Sequence, residues 1–139
     1  MILNEKKGNL FELDNKKYYF AHCISSDYAL GAGIAIDFQK KFKIRDTLKK
    51  YGTGKYPELM TIDNIFNLVT KDKYWHKPTY ESITTCIKHM RDACIDNSIK
   101  YLAMPKIGCG LDRLSWPKVR EIIMEEFKDL DIVIEVRYL

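Results

Sequence analysis

Two short stretches set reactive side chains directly behind apolar runs. In Leu68-Val-Thr-Lys71 a lysine closes the run IFNLVT, and in Pro105-Lys-Ile-Gly-Cys-Gly-Leu-Asp112 an aspartate stands just past two glycines that follow YLAM. A lysine is mostly a solvated cation. At the mouth of a pocket, partly desolvated or beside another cation, its amine can instead act as a nucleophile. Asp112 reads either as a surface acid beside Arg113 or as a carboxylate that works on a ligand held by the loop. Cys109 is either a small residue demanded by close packing or a thiol nucleophile, and no histidine lies near it in sequence to activate it. His22 falls inside a strand and reads as a buried, hydrogen-bonded histidine. His76 reads as a helix-entry or packing residue, and His89 lies on an exposed helix face. No triad assembles from these residues.

A second glycine pair, Gly31 and Gly33, stands directly before a helix pattern in SSDYALGAGIAIDF. Glycines there let backbone N–H groups approach a ligand, and a helix N-terminus attracts anions. A tight turn explains the same spacing. Position 36 is Ile, so a G-x-G-x-x-G fingerprint is excluded. Ser25 and Asp27 can cap the turn or touch a ligand, with capping the expectation for Asp27. Two such turns at one end of a sheet would cradle a diphosphate.

The elements that must position these groups alternate. Strands are expected at residues 2–5, 18–24, 58–63, 64–70, 101–104 and 131–138, the last with Ile132, Ile134 and Val136 inward. Helices are expected over 33–42, with Ile34, Ala35, Phe38 and Phe42 on one face, and over 45–51, stopping near Gly52. The strongest periodicity runs over 79–97, where Tyr80, Ile83, Ile87, Met90 and Cys94 recur at three- and four-residue steps. A last helix begins behind Ser115 as cap, with Pro117 in its first turn and Val119, Ile122, Ile123 and Phe127 as its buried stripe. Alternating strands and helices imply an α/β fold with a largely parallel sheet covered on both faces. Ligands of such sheets sit beyond the carboxyl ends of the strands, which selects the segments after Ile24, Val69 and Met104.

Composition bounds the rest. The 139 residues are 46% hydrophobic and 30% charged, with a net charge of +4, as expected of one globular domain. Lysine doublets such as Lys6-Lys7 and Lys49-Lys50 stand near acids, so a solvated surface is the plainer reading than a nucleic-acid stripe. No run approaches the roughly 20 apolar residues of a membrane span. MILNEKKGNL lacks the apolar core of a secretory signal, and a cytoplasmic location is the expectation. Cys23, Cys86, Cys94 and Cys109 form no C-x-x-C pair, so a zinc site is not expected, and in a chain of this size with no secretory signal a disulfide framework is not expected either.

Taken in order, Ala21-His-Cys-Ile-Ser25, Gly31-Ala-Gly-Ile-Ala35, Leu68-Val-Thr-Lys71, His76-Lys-Pro-Thr-Tyr-Glu81 and Met104-Pro-Lys-Ile-Gly-Cys-Gly-Leu-Asp-Arg-Leu114 resemble a macrodomain, the ADP-ribose-binding module. The nearer resemblance is to the branch containing the terminal ADP-ribose protein glycohydrolase. It covers nearly the whole chain and implies one macrodomain over 1–139, a three-layer α/β/α sandwich with an ADP-ribose cleft at the crest of a mixed sheet. In that branch a lysine and an aspartate carry the hydrolysis, and Lys71 and Asp112 match them. Gly31, Gly33 and Ile34 on one side, and Ile107, Gly108, Cys109, Gly110 and Leu111 on the other, become the cradle for phosphate and distal ribose. Ser25 would lie near that ribose. Asn9, Leu10, His22, Thr70 and Leu139 complete the contacts that the resemblance implies.

The implied reaction cleaves the ester between C1″ of the distal ribose and a carboxylate, with Lys71 as nucleophile and Asp112 moving protons, and without metal or cofactor. The implied partners are ADP-ribose and ADP-ribosylated protein, or ADP-ribosylated nucleic acid, with no membrane and with the chain acting as a monomer. Removal of ADP-ribose from DNA bases and non-catalytic ADP-ribose binding are the rival readings. The chain departs from the family at Gly8-Asn9-Leu10-Phe11. Where macrodomains commonly hold the adenine amino group with an aspartate, Asn9 offers a neutral oxygen, and a neutral partner makes the weaker bond.

Overall fold

The computed structural model describes residues 1–139 as six strands and four helices: β1 (Ile2–Lys7), β2 (Tyr19–Ser25), α1 (Ile34–Phe42), α2 (Arg45–Tyr51), β3 (Glu58–Ile62), β4 (Ile65–Lys71), α3 (Tyr80–Asp96), β5 (Tyr101–Met104), α4 (Trp116–Phe127) and β6 (Val133–Tyr138). The strands form one sheet in the order β1-β6-β5-β2-β4-β3. All neighbours run parallel except β3, which pairs antiparallel with β4 at one edge. The expected mixed, largely parallel α/β/α sandwich is therefore the fold.

Each face of the sheet is sealed by a different helix pair. Ala21, Phe66, Leu68, Ile134 and Val136 pack with Ile83, Ile87 and Met90 of α3 and Val119, Ile123 and Phe127 of α4. Phe20, Ile24, Ile65 and Val69 pack on the other side with Phe38 of α1 and Ile44 and Leu48 around α2. Because both faces are covered, β4 is a continuous buried run rather than an alternating one. Truncating Phe38, which is fully buried, would cost about 3–5 kcal/mol.

The ends of the elements follow local chemistry. Thr79 and Ser82 exchange side-chain and backbone bonds in a capping box that starts α3. Ser115 does stand at the start of α4, but its hydroxyl caps nothing. Its N–H donates to the Tyr80 hydroxyl at 2.9 Å, which ties α4 to α3. A short 3₁₀ turn, Leu10–Glu12, was not expected; Asn9 starts it by accepting a hydrogen bond from the Phe11 N–H at 3.0 Å. No helix is long and apolar enough to cross a membrane.

Candidate active site

The carboxyl ends of β2, β4 and β5 open into one cleft of about 910 Å³, within the range of small-molecule sites. Lys71 is the last residue of β4 and pairs with Ser25 where the β2–β4 register is irregular. Asp112 lies in the turn after β5. Folding brings Lys71 Nζ to 2.6 Å from Asp112 Oδ1, with both side chains about 85% removed from solvent. Both residues line the cleft, and the small part of each that stays exposed faces it.

Two rims of backbone flank this pair. On the α1 side the amides of Gly31, Ala32, Gly33 and Ile34 donate to no protein group, and no side chain caps the helix. Gly33 has φ 58, a left-handed conformation that favours glycine. On the β5 side the amides of Gly108, Gly110 and Leu111 are likewise free, whereas that of Cys109 closes a turn by donating to the Lys106 carbonyl at 3.2 Å. A Cβ on Gly33 would lie 3.6 Å from Leu111 Cδ1, so the two rims approach each other directly. The facing amides and the N-terminus of α1 make a cradle suited to an anion.

The loops are braced by polar contacts that sequence alone did not show. Asp27 accepts hydrogen bonds from the Ser25 hydroxyl at 2.5 Å, the Ala29 N–H at 3.2 Å and the Tyr74 N–H at 3.0 Å. Its burial works to raise the carboxyl pKa, but these donors, together with the Lys73 charge, outweigh it and hold the group below its usual value. Ser26 donates to the Asp72 carbonyl at 2.9 Å. Lys77 Nζ donates to the Leu111 carbonyl at 2.5 Å, joining the loop that follows Lys71 to the one that carries Asp112. Asp27 does cap its turn, as expected, and it braces the Lys71 loop as well.

Asn9, Leu10, Ser25, Gly31, Gly33, Ile34, Ile107, Gly108, Cys109, Gly110, Leu111 and Leu139 all line the cleft with Lys71 and Asp112. His22 and Thr70 do not, and both must be withdrawn from the site. Strand alternation turns each of them into the layers beside the sheet, where both are fully buried. His22 stacks on Phe38 at 3.9 Å, and its Nε2 lies 2.6 Å from Asn67 Oδ1. Asn67 Nδ2 donates to the Met60 and Ile65 carbonyls, so its oxygen faces His22 and Nε2 carries the proton. Burial lowers the His22 pKa to about 4, against the smaller opposing effect of the Asn67 bond. Cys109 is no ready nucleophile. Burial first of all, with Lys106 opposing and Asp112 adding, puts its thiol at about 11.

Sequence reasoning missed Arg137. This cation lines the far end of the cleft, largely buried, where it faces Glu135 at 3.3 Å. A lone Arg in the alternating strand DIVIEVRY was the available signal. Three inter-strand steps separate β6 from β4, placing this end about 14 Å from Lys71. The oxygen of Asn9, at the same end, is already engaged by the Phe11 N–H, though a carbonyl oxygen can accept a second bond.

Comparison with known proteins gives a consistent result. The model of the Macro domain family matches residues 51–123. The human protein named ADP-ribose glycohydrolase OARD1 is 41% identical over 94% of this chain and 87% of its own length. A Thermus aquaticus DNA ADP-ribosyl glycohydrolase is 23% identical over 94% of this chain and 39% of its own. Among solved structures, the macrodomain of Thermus aquaticus DarG superposes with a TM-score of 0.86 at 21% identity, covering 99% of both chains.

Proposed function

The chain belongs to the macro domain family, and from that premise we propose that residues 1–139 act as one unit that hydrolyses the bond between C1″ of ADP-ribose and a carboxylate, as on a modified glutamate or an acyl-ADP-ribose. The observation that carries the reading is the Lys71–Asp112 contact at 2.6 Å inside a nucleotide-sized cleft. Binding alone needs neither residue. The name of the human relative, ADP-ribose glycohydrolase, supports the same class of reaction.

In this reading the free amides of the two rims hold the diphosphate and so set the distal ribose over Lys71; positioning of this kind can lower a barrier by several kcal/mol. Nucleophilic attack requires a lone pair on Nζ, so a proton must leave it, and Asp112 Oδ1 is the acceptor within reach. A bond forms between Nζ and C1″ as the C1″–carboxylate bond breaks; the leaving carboxylate keeps the electron pair and takes the proton from Asp112, which is again a base. A proton passes from Nζ to the ring oxygen as the sugar ring opens, which gives an iminium at C1″. Asp112 then takes a proton from water as the water adds to C1″, and cleavage of the C1″–Nζ bond returns the amine and free ADP-ribose.

Borohydride added during turnover of a glutamate conjugate tests this. Reduction of the iminium should leave ADP-ribose on Lys71, located by peptide mass spectrometry. Turnover with no adduct at that lysine would eliminate the covalent route.

A further inference from the structure

The cleft has an apolar mouth that the chemistry just described does not use. Tyr74 and Trp75 line it and are 61% and 63% exposed, and Leu111, from the opposite loop, is 62% exposed. Exposed aromatic side chains at adjacent positions cost solubility and are uncommon without a task. These are not on a loose tip. The Tyr74 amide is bound by Asp27, the His76 N–H donates to the Lys73 carbonyl at 2.9 Å, and His76 Nδ1 accepts from the Lys73 N–H at 3.2 Å. The two rings meet edge to face, with centroids 5.0 Å apart. The turn begins at Lys71, and Lys77 fastens it to Leu111, the neighbour of Asp112. Both catalytic candidates thus sit at the base of one braced collar.

We propose that the collar formed by Tyr74, Trp75 and Leu111 is the docking surface for the polypeptide that carries the ADP-ribosylated carboxylate, so that it selects protein conjugates over small acyl esters. The inference rests on the function proposed above. If C1″ lies over Lys71, whatever is attached there must leave past the collar. The charge around it decides between a polypeptide and a nucleic acid. Lys71 is paired with Asp112, Lys77 is spent on the Leu111 carbonyl, and Lys73 stands beside Asp27 and Asp72. Three acids offset these three lysines, and the exposed Arg113 beside Asp112 is left as a single unpaired cation, which is no basic stripe along which a phosphate chain could be tracked, as single-strand binding requires. A neutral aromatic surface instead suits apolar side chains flanking a modified glutamate, with Trp and Tyr as the anchors most often found at protein contacts.

The test compares wild type with the Tyr74→Ala/Trp75→Ala double variant on three substrates: a glutamate-modified protein, a small acyl-ADP-ribose and an ADP-ribosylated single-stranded oligonucleotide. The expected result is a roughly tenfold fall in the ratio of kcat/KM for the protein over the small ester, carried by KM. Trp75→Tyr should restore most of it, and a matching thermal melt would exclude unfolding. An unchanged ratio overturns the collar while leaving the proposed reaction intact. A selective loss on the oligonucleotide also overturns it, in favour of nucleic acid. No hydrolysis of any conjugate by wild type would instead overturn the reaction itself.

Discussion

Lys71 and Asp112 are 41 positions apart in the chain and 2.6 Å apart in the fold. Neither side chain has another hydrogen-bond partner within the protein, so each is oriented chiefly by the other. Lys71→Ala should lower single-turnover release of ADP-ribose from a glutamate conjugate by at least about a thousandfold, and Asp112→Asn by about 10²–10⁴. Affinity for free ADP-ribose, measured by calorimetry, should change far less, because the amide rims remain. Near-normal release by either variant would remove that residue from the chemistry.

Two glycines of one loop should respond differently to the same substitution. Gly108 has φ 74, and a Cβ there would stand 2.8 Å from Ile83 Cδ1 and 3.1 Å from Leu114 Cδ1. Gly108→Ala should therefore destabilise the fold by about 1–3 kcal/mol. A Cβ on Gly110 meets nothing within 4 Å. Gly110→Ala should leave the melting temperature nearly unchanged while weakening ADP-ribose binding, since the methyl group would enter the cradle. Equal melting temperatures for the two variants would contradict the packing argument.

Asp27 joins the Ser25 turn to the loop after Lys71. Asp27→Ala leaves the Tyr74 amide without its acceptor and should increase hydrogen exchange at that amide together with a loss of turnover. The carboxyl is held below its usual value in the fold. Its contribution is therefore fully present above the unfolded-state pKa and is lost as pH falls through the lower, folded one. A wild-type loop that loosens as pH rises would have the wrong sign.

His22 is buried neutral, with a pKa lowered from 6.5 to about 4. The unfolded chain takes up a proton below pH 6.5 that the folded chain refuses until about pH 4. Stability should thus be full above 6.5 and fall between those values by up to about 3 kcal/mol. Denaturant titrations across this range should show the slope in wild type and lose it in His22→Gln. A slope that survives the substitution would assign it to other groups.

The glycine turns, the alternation of strands and helices, and the positions of Lys71 and Asp112 at strand ends were legible because each is written in contiguous residues: Gly108 close to Gly110, Lys71 at the end of an apolar run, the 79–97 periodicity. His22 and Thr70 were misplaced because contiguity says nothing about which side of a strand faces a cleft. A bulge-like irregularity at Ile24 and Ser25 and strand alternation put these neighbours of site residues into the core. Tyr74, Trp75 and Lys77 carry no local pattern that sets them apart from surface residues, and the lone Arg137 in an alternating strand was the one signal left unread.

The sequence by itself determined the fold class and the strand ends that line the cleft, which follow from hydrophobic period and turn chemistry operating over a few residues. It also put a lysine and an aspartate at those ends, and their proposed role came from the resemblance to the macrodomain family. Tertiary structure alone decided that the two groups touch, that their loops are braced through Asp27 and Lys77, and that an aromatic collar stands over them. Those facts depend on the order in which parallel strands are laid into the sheet, which brings together atoms whose separation along the chain carries no trace of the contact.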